Sequence, residues 1–576
     1  MCGIWCRIGS NNDPQDPTLW VKQLEARGPE GTRIVHLNEK VTMGFTRLAI
    51  NGLTDAGMQP YTKGTLTWIC NGEIYNSKEL EESLGLENTG SDCECIGDLY
   101  MRHRDNLIAF ARALDGVFAI ALYDAERQRL VVTRDPFGIR PLFIGCRPNT
   151  ELSLANINNS PVPVYHSKFT TLVFASELKA LVPYFESVLT FQPGTVQCYD
   201  VATMNLMQDF RYHSVGWMIN PYFRPTEITG FIEASNALRY ALEESVRKRL
   251  LTERPIACLL SGGLDSSLIA SLLQNNLRNL NKPPLKTFSI GFEGSSDLAH
   301  ARIVADWIGS DHMEIKMTPD EFFEAIPEVI RAIESYDTTT VRASVGNYLI
   351  GKKIRELTDC KVVFNGDGSD ELFGGYLYFN NAPNEEAFQA ETERLLNDIH
   401  LFDVLRSDRS MSANGLEART PFLDKQFVSV VRSIHPRFLK PVKGSQMEKF
   451  ILRSAFDDGT TLPPEVLWRR KEAFSDGVST PEKAWFQEIQ ERVEGIVPKD
   501  WMMKATLSYS KHIIPRTAEE YYYRHFFTSI YGLSALHVTV PYRWMPQWCP
   551  ETTDPSARTL QMYNEAADTN EGGARG

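Results

Sequence analysis

From Met1 to about Leu206 the apolar positions come in short runs. They often alternate with polar ones and are broken by Gly, Asn and Pro, as in Thr65-Leu-Thr-Trp-Ile-Cys-Asn-Gly72 and Phe118-Ala-Ile-Ala-Leu-Tyr123. Alternation sends successive side chains to opposite faces of an extended chain, so this region reads as antiparallel strands covered by a few helices. Phe118–Tyr123 and Leu130–Thr133, joined by a short polar connection, predict a hairpin. Between about Met207 and Thr229 no period is sustained and Gly216, Pro221, Pro225 and Gly230 punctuate the chain, which predicts a linker over 207–230. The period then becomes helical, with Phe231, Ala234, Leu238, Ala241, Leu242, Val246 and Leu250 on one face.

Beyond that helix, predicted strands (Pro255–Leu260, Thr287–Phe292, His312–Lys316, Lys361–Phe364) alternate with predicted helices (Ser267–Leu273, Ala299–Ile308, Val345–Leu357). This is the pattern of βαβ units, which want a parallel sheet covered on both faces and bind ligands at the carboxyl ends of the strands. Helical patterns dominate from Phe402 to Tyr531, and the Thr-, Asp-, Gly- and Ala-rich end over 549–576 reads as a disordered tail. The expected organisation is a first domain over 1–206, the linker, and a second domain over 231–548.

Composition narrows the class. With 43% hydrophobic and 23% charged residues, and no apolar run near the ~20 residues of a membrane span, the chain reads as soluble. A net charge of -13 without a basic patch argues against nucleic acid and anionic lipid as partners. The start, Met1-Cys-Gly-Ile-Trp-Cys-Arg7, lacks the regions of a signal peptide, so a cytoplasmic location is expected, with thiols kept reduced. Of ten cysteines only Cys93 and Cys95 form a close pair, and no second pair completes a tetrahedral metal site.

Leu259-Leu-Ser-Gly-Gly-Leu-Asp-Ser-Ser267 lies between a strand and a helix, where glycines turn tightly and aim backbone N–H groups at an anion. The string Ser261-Gly262-Gly263-Leu264-Asp265-Ser266-Ser267 resembles the pyrophosphate loop of the ATP-pyrophosphatase family, which splits ATP between its α- and β-phosphates. A second acidic loop, Phe364-Asn-Gly-Asp-Gly-Ser-Asp-Glu371, follows another strand and should open onto the same sheet edge. Asp265 and Asp370 could then share Mg²⁺ on the pyrophosphate, while Lys449 and Arg342 neutralise charge developing at the α-phosphate. Gly346-Asn-Tyr-Leu-Ile-Gly-Lys-Lys353 nearly spells a Walker A loop, but it lies in a helical pattern and ends in Lys instead of Ser or Thr.

Removal of Met1 would leave Cys2 with both a thiol and a free α-amine, a nucleophile carrying its own base. Further residues suit the two ends of glutamine. Arg47 can hold the α-carboxylate, Glu73 and Asp92 the α-ammonium, and Asn71 with the Gly72 N–H an oxyanion.

Met1-Cys-Gly-Ile4, Asn71-Gly-Glu-Ile-Tyr-Asn76 and Arg134-Asp-Pro-Phe-Gly-Ile-Arg-Pro-Leu142 resemble the class II glutamine amidotransferase domain, an N-terminal-nucleophile hydrolase. With the Ser261–Ser267 loop, Tyr336-Asp-Thr-Thr-Thr-Val-Arg-Ala-Ser344 and Glu417-Ala-Arg-Thr-Pro-Phe-Leu-Asp424, the chain resembles the glutamine-hydrolysing asparagine synthetases from Cys2 to about Tyr542. The resemblance implies an α/β protein: an αββα sandwich followed by a parallel-sheet ATP-pyrophosphatase domain with added helices. It implies glutamine, aspartate and ATP as substrates, Mg²⁺ as cofactor, a β-aspartyl-AMP intermediate and the family's habit of dimerising. It places glutamine on Arg47, Leu48, Ala49, Ile50, Asn51, Asn71, Gly72, Glu73 and Asp92. ATP falls on Leu260, Ser261, Gly262, Gly263, Asp265, Ser266, Ser267, Ile290, Asn365 and Gly366, with Cys2, Asn71, Gly72, Asp367, Lys449 and Arg342 in catalysis and Asp265 and Asp370 on the metal.

The chain departs from the family pattern in two motifs. Asn365-Gly-Asp367 stands where the family usually has Ser-Gly-Glu, so a central carboxylate is one methylene shorter, and Glu30 in Arg27-Gly-Pro-Glu30 replaces a common Asp. The alternatives these leave open are an amide-forming relative with another acceptor carboxylate and a glutamine-binding regulatory protein whose second domain no longer turns over.

Overall fold

A computed structural model describes residues 1–9, 16–86, 90–148, 169–182, 184–185, 187–215, 227–443, 445–480 and 483–560. The N-terminal unit holds two six-stranded antiparallel sheets. One orders its strands Ser187–Thr190, Phe143–Pro148, Phe169–Ala175, Gly3–Gly9, Val41–Thr46 and Thr32–His36. The other runs Leu206–Arg211, Thr195–Asp200, Arg129–Arg134, Gly116–Asp124, Leu66–Ile74 and Tyr61–Lys63. Ile4, Cys6, Met43 and Phe45 from the first meet Ile69, Ala119, Ala121 and Val132 from the second in one buried cluster. The outer face of the second sheet presents Trp68, Cys70, Phe118 and Ile120 to the helices Ile96–Arg102 and Leu107–Ala113. Alternate residues of the same strand thus fill two cores, as period-two patterning requires. The hairpin expected around residues 124–129 is present, pairing Gly116–Asp124 with Arg129–Arg134.

The linker expectation needs correction at its start. Leu206–Arg211 is the edge strand of the second sheet, paired with Thr195–Asp200, and the Tyr212 hydroxyl donates to the Arg134 carbonyl at 2.7 Å. Its mostly exposed side chains hide the strand from a periodicity argument. Residues 216–226 of the expected linker lie outside the described residues.

The C-terminal unit is built on a five-stranded parallel sheet in the order Asp311–Lys316, Lys286–Gly291, Ile256–Leu259, Val362–Phe364 and Glu417–Arg419. Cys258, Val362 and Phe364 face one core with Leu268 and Ala301, whereas Ala257, Phe288, Ile290 and Val363 face another with Val341 and Val345. Both faces are therefore covered, by the helices Leu264–Asn279 and Ser296–Ile308 on one side and Thr338–Leu357 on the other. The Walker-like Gly346–Lys353 stretch is interior to Thr338–Leu357.

The tail expectation is also corrected for 549–560. Asp554 pairs with Arg342, Arg558 with Glu472, and Leu560 is buried. A polar composition argues for disorder only when its charges lack fixed partners, and here they have them. The rest of the expected tail, 561–576, lies outside the described residues. Among the described residues no helix is long and apolar enough to cross a membrane.

Candidate functional sites

The first site gathers around the chain start. Gly3 opens the strand Gly3–Gly9 opposite Thr46, which holds Cys2 beside Leu48 at the end of Val41–Thr46. The Cys2 thiol donates to the Leu48 carbonyl at 3.6 Å, and the Arg27 Nε donates to the Cys2 carbonyl at 2.9 Å. Burial pushes the thiol up to about 11, opposed by the chain's terminal amine, and burial lowers that Met1 amine to about 6. Removal of Met1 would put the free amine on Cys2 itself, where its neutral form can take the thiol proton.

Asn71 and Gly72 sit in the strand Leu66–Ile74. Asn71 is fully buried, yet both its side-chain oxygen and its nitrogen lack a partner. An orphaned buried amide costs about 1–3 kcal/mol. That cost is recovered when a ligand oxygen accepts from it, the arrangement an oxyanion hole needs. Gly72 is required on its own account, because a Cβ there would stand 2.1 Å from the Val117 carbonyl oxygen across the strand pair.

The Arg47 guanidinium is held by the carbonyls of Thr54, at 2.8 Å, and Gly52. Asn51 Nδ2 donates to Glu73 Oε2 at 2.8 Å, and the Ile74 N–H donates to Asp92 Oδ2 at 2.7 Å. Burial raises Asp92 to about 6, and burial together with the neighbouring Asp92 carries Glu73 well above the usual carboxylate range. Two buried, mutually repelling carboxylates are a ready receptor for an ammonium group. Of the three residues between Arg47 and Asn51, Leu48 bonds the thiol. The Ala49 N–H donates to Glu30 at 2.7 Å, and the Ile50 carbonyl accepts from the Glu253 N–H of the second unit. Glu30 also pairs with Arg254, so its longer arm spans from the Ala49 backbone to the second unit.

The second site is a cavity of about 200 Å³ at the carboxyl ends of the parallel strands. Leu260, Ser261, Gly263, Asp265, Ser266, Ile290, Asn365, Gly366, Asp367, Asp370 and Lys449 all line it. Gly262 and Ser267 stand behind the lining. Gly262 adopts φ +71° and a Cβ there would meet the Ala301 N–H at 2.5 Å, while the Ser267 hydroxyl is buried without a partner. Gly263 caps the helix Leu264–Asn279 without a side-chain bond, which leaves that helix's first N–H groups for an anion.

Asp265 and Asp370 converge as expected, and the cation between them is Lys449. Its Nζ lies 2.6 Å from Asp265 Oδ2 and 2.6 Å from Asp370 Oδ1. Lys471 adds a second ammonium 2.6 Å from Asp370 Oδ2. Burial alone would raise Asp370, but the two lysines outweigh it and hold the carboxyl well below its usual range. Lys449 itself is in the left-handed region, φ +58°, strain of the kind that persists where the surroundings over-determine a residue. The two carboxylates offer oxygen donors only, the set a hard cation such as Mg²⁺ takes along with substrate phosphates.

Asp367 is clamped at both oxygens. Arg406 Nη2 donates to Oδ1 at 3.0 Å and Asn365 Nδ2 donates to Oδ2 at 2.8 Å, while Asn365 also reaches Ser407 Oγ at 2.6 Å. The two substituted residues of the 365–367 departure therefore touch each other, the longer amide meeting the shorter acid. Burial raises the Asp367 carboxyl and Arg406 opposes it.

The chain matches the asparagine synthase family model over residues 237–390 and 380–551, and the glutamine amidotransferase domain model over 1–220. It is 41% identical over 579 residues to the glutamine-hydrolysing asparagine synthetase of Gallus gallus, spanning 98% of this chain and 100% of that protein. The Homo sapiens protein of the same name is 40% identical over 576 residues, with the same coverage. The chain belongs to the glutamine-hydrolysing asparagine synthetase family. A solved glutamine phosphoribosylpyrophosphate amidotransferase from B. subtilis is 18% identical, covers 49% of this chain and 65% of its own, and has a TM-score of 0.29, too low to argue from.

In this member of the asparagine synthetase family one expected site residue stands elsewhere. Arg342 does not line the cavity; it is buried, making two bonds to Glu519 at 2.8 and 2.6 Å and two to Asp554 at 2.8 Å. It lies on the helix Thr338–Leu357, and Thr340, Ala343 and Asn347 of that helix face the cavity in its place. Several cavity residues escaped the sequence reading of this synthetase, among them Arg406, Asp403 and Lys471. Arg406 shows only an i,i+3 pairing with Asp403, and Lys471 ends a run of three cations, both of which read by default as solvated surface.

Proposed function

We propose that the chain makes asparagine from aspartate and ATP through β-aspartyl-AMP, with ammonia drawn from glutamine at Cys2. In the first site Arg47 orients the glutamine carboxylate, and Glu73 and Asp92 orient its ammonium. The Cys2 thiolate attacks the side-chain amide carbon, and the oxyanion accepts from Asn71 and the Gly72 N–H. Ammonia leaves and water cleaves the thioester to glutamate.

In the second site the Ser261–Ser267 loop and the start of Leu264–Asn279 hold the phosphates. An aspartate side-chain oxygen attacks the α-phosphorus, pyrophosphate leaves, ammonia adds to the activated carbonyl and AMP departs. Lys449 and Lys471 meet the negative charge of the leaving pyrophosphate. Mg²⁺, held by Asp265 and Asp370, would screen phosphate charge there. A cytoplasmic location and a homodimer accord with this reading.

The observation that carries the proposal is the meeting of Asp265, Asp370, Lys449 and Lys471 at one sheet edge, in a chain that also presents Cys2 and the unpartnered Asn71. The test is an assay for AMP and asparagine with ATP, Mg²⁺ and aspartate, supplied with glutamine or with ammonium. Asparagine is expected from both nitrogen sources, and Cys2→Ala should abolish glutamine use while sparing ammonium use. Glutamate without AMP or asparagine would overturn the reading of the second site, and equal loss of both activities in Cys2→Ala would overturn the division of labour.

A further inference from the structure

The wall of the nucleotide cavity includes the run Arg469–Ser475, and its first five residues have no helix or strand of their own. Such a segment is ordered by side-chain bonds from elsewhere. Some come from within the wall's surroundings: Arg469 pairs with Asp297 at 3.0 Å, Glu472 accepts from Ser296 at 2.7 Å, and the Lys471 N–H donates to Glu448 at 3.2 Å. The others come from the end of the chain, over 554–560.

Arg558 Nη2 donates to Glu472 Oε1 at 2.9 Å and to the Asp476 carbonyl at 3.0 Å, and its Nη1 donates to the Thr480 carbonyl at 3.1 Å. Ser556 Oγ donates to Asp476 Oδ1 at 2.9 Å between buried groups. Behind them Asp554 makes its paired bonds to Arg342, whose other face is held by Glu519. The strap is thus anchored in the helical core and grips the wall at Glu472, Asp476 and Thr480, on the C-terminal side of Lys471.

We propose that Arg558 is a positioning residue of the nucleotide site. Through Glu472 and the two carbonyls it holds the wall segment, and with it the Lys471 ammonium, against Asp370. Three donors from one planar guanidinium fix the segment's height and tilt together, which a single ammonium cannot do. Arg342 belongs to the same device, as the anchor of the strap.

The proposal rests on the ATP-dependent reading of the second site, and its test separates the two. In the full chain, Arg558→Ala and Arg558→Lys are compared with the unaltered protein for pyrophosphate release from ATP, aspartate and ammonium, and for glutamate release from glutamine alone. ATP-induced rise in unfolding temperature is recorded as a readout that needs no turnover. Arg558→Ala should lower kcat/KM for ATP between about ten- and a hundredfold, the range expected when a charged group near the reacting atoms is misplaced by about an ångström. Its KM for ATP should rise, its ATP-induced stabilisation shrink, and its glutamate release stay within about twofold, since the strap bonds named above all run to residues of the second unit. Arg558→Lys should recover part of the loss, because it keeps the charge at Glu472 and forfeits a carbonyl contact. Should Arg558→Ala fail to fold, Ser556→Ala tests the same grip and should show a smaller change in the same direction.

Unchanged ATP kinetics, or parallel loss of both activities with a lowered unfolding temperature, would overturn the proposal. An unaltered protein that neither releases pyrophosphate nor is stabilised by ATP would instead overturn the functional reading.

Discussion

At the scale of single residues, Asp92 carries the clearest consequence. Its carboxyl is raised to about 6 by burial, with the Ile74 N–H and Arg419 pulling the other way. Below that pH the group is protonated and neutral, so it no longer attracts an α-ammonium; above it the charge is present. The KM for glutamine is therefore expected to rise as pH falls from 7 to 5, with a midpoint near 6, while ammonium-dependent synthesis shows no matching step. Asp92→Asn should flatten the profile at a high KM. A glutamine KM that ignores pH across this range would show that the Asp92 charge does not hold the ammonium. The sequence offered Asp92, Glu73 and Asn71 as candidates because each is the residue type that glutamine's chemistry needs. It did not show that Arg342 spends its charge on Glu519 and Asp554, since those partners lie far along the chain and only packing brings them together.

At the scale of elements, the site depends on how closely two loops of the parallel sheet approach. A Cβ on Gly366 would stand 2.8 Å from the Asp265 side chain and 2.8 Å from the Ser266 N–H. Gly366→Ala must push the phosphate loop and the acidic loop apart, and a shift of about an ångström costs on the order of a hundredfold in rate. Ammonium-dependent asparagine formation should fall by about that factor, with glutamate release unchanged; a variant of normal synthetase activity would mean that the loops tolerate the spread. The first four strands of the parallel sheet were legible, because buried parallel strands are short apolar runs between helical periods, whereas the helix Pro319–Ile333 between two of them was not predicted. Glu417–Arg419 was not. Two of its three residues are charged, yet all three are buried, since Glu417 is bonded by Arg419 at 2.9 Å and faces Arg140 of the other unit.

At the scale of the molecule, the two units are joined through buried charge. Arg27 lies 3.0 Å from Glu177 of its own unit and 2.8 Å from Asp408 of the other, all three essentially inaccessible to solvent, and its Nε supports the Cys2 carbonyl. Removing one partner of such a cluster strands a buried charge, at a cost of about 3–5 kcal/mol. Asp408→Ala is expected to lose stability of that order in denaturant unfolding and to lower glutamate release, because Arg27 loses its fixed position beneath the nucleophile. Unaltered stability would place the joint elsewhere. The sequence by itself determined the two-unit plan and singled out Cys2, the Ser261–Ser267 loop and the residues suited to glutamine's two ends as candidates, since these follow from local period and from residue chemistry at short spacing. Tertiary structure alone decided the ordering of 549–560, the roles of Arg342, Arg406 and Lys471, the strand Glu417–Arg419 and the charge cluster at the joint. A charge's role is set by which opposite charge it meets after burial, and those partners stand in distant parts of the chain.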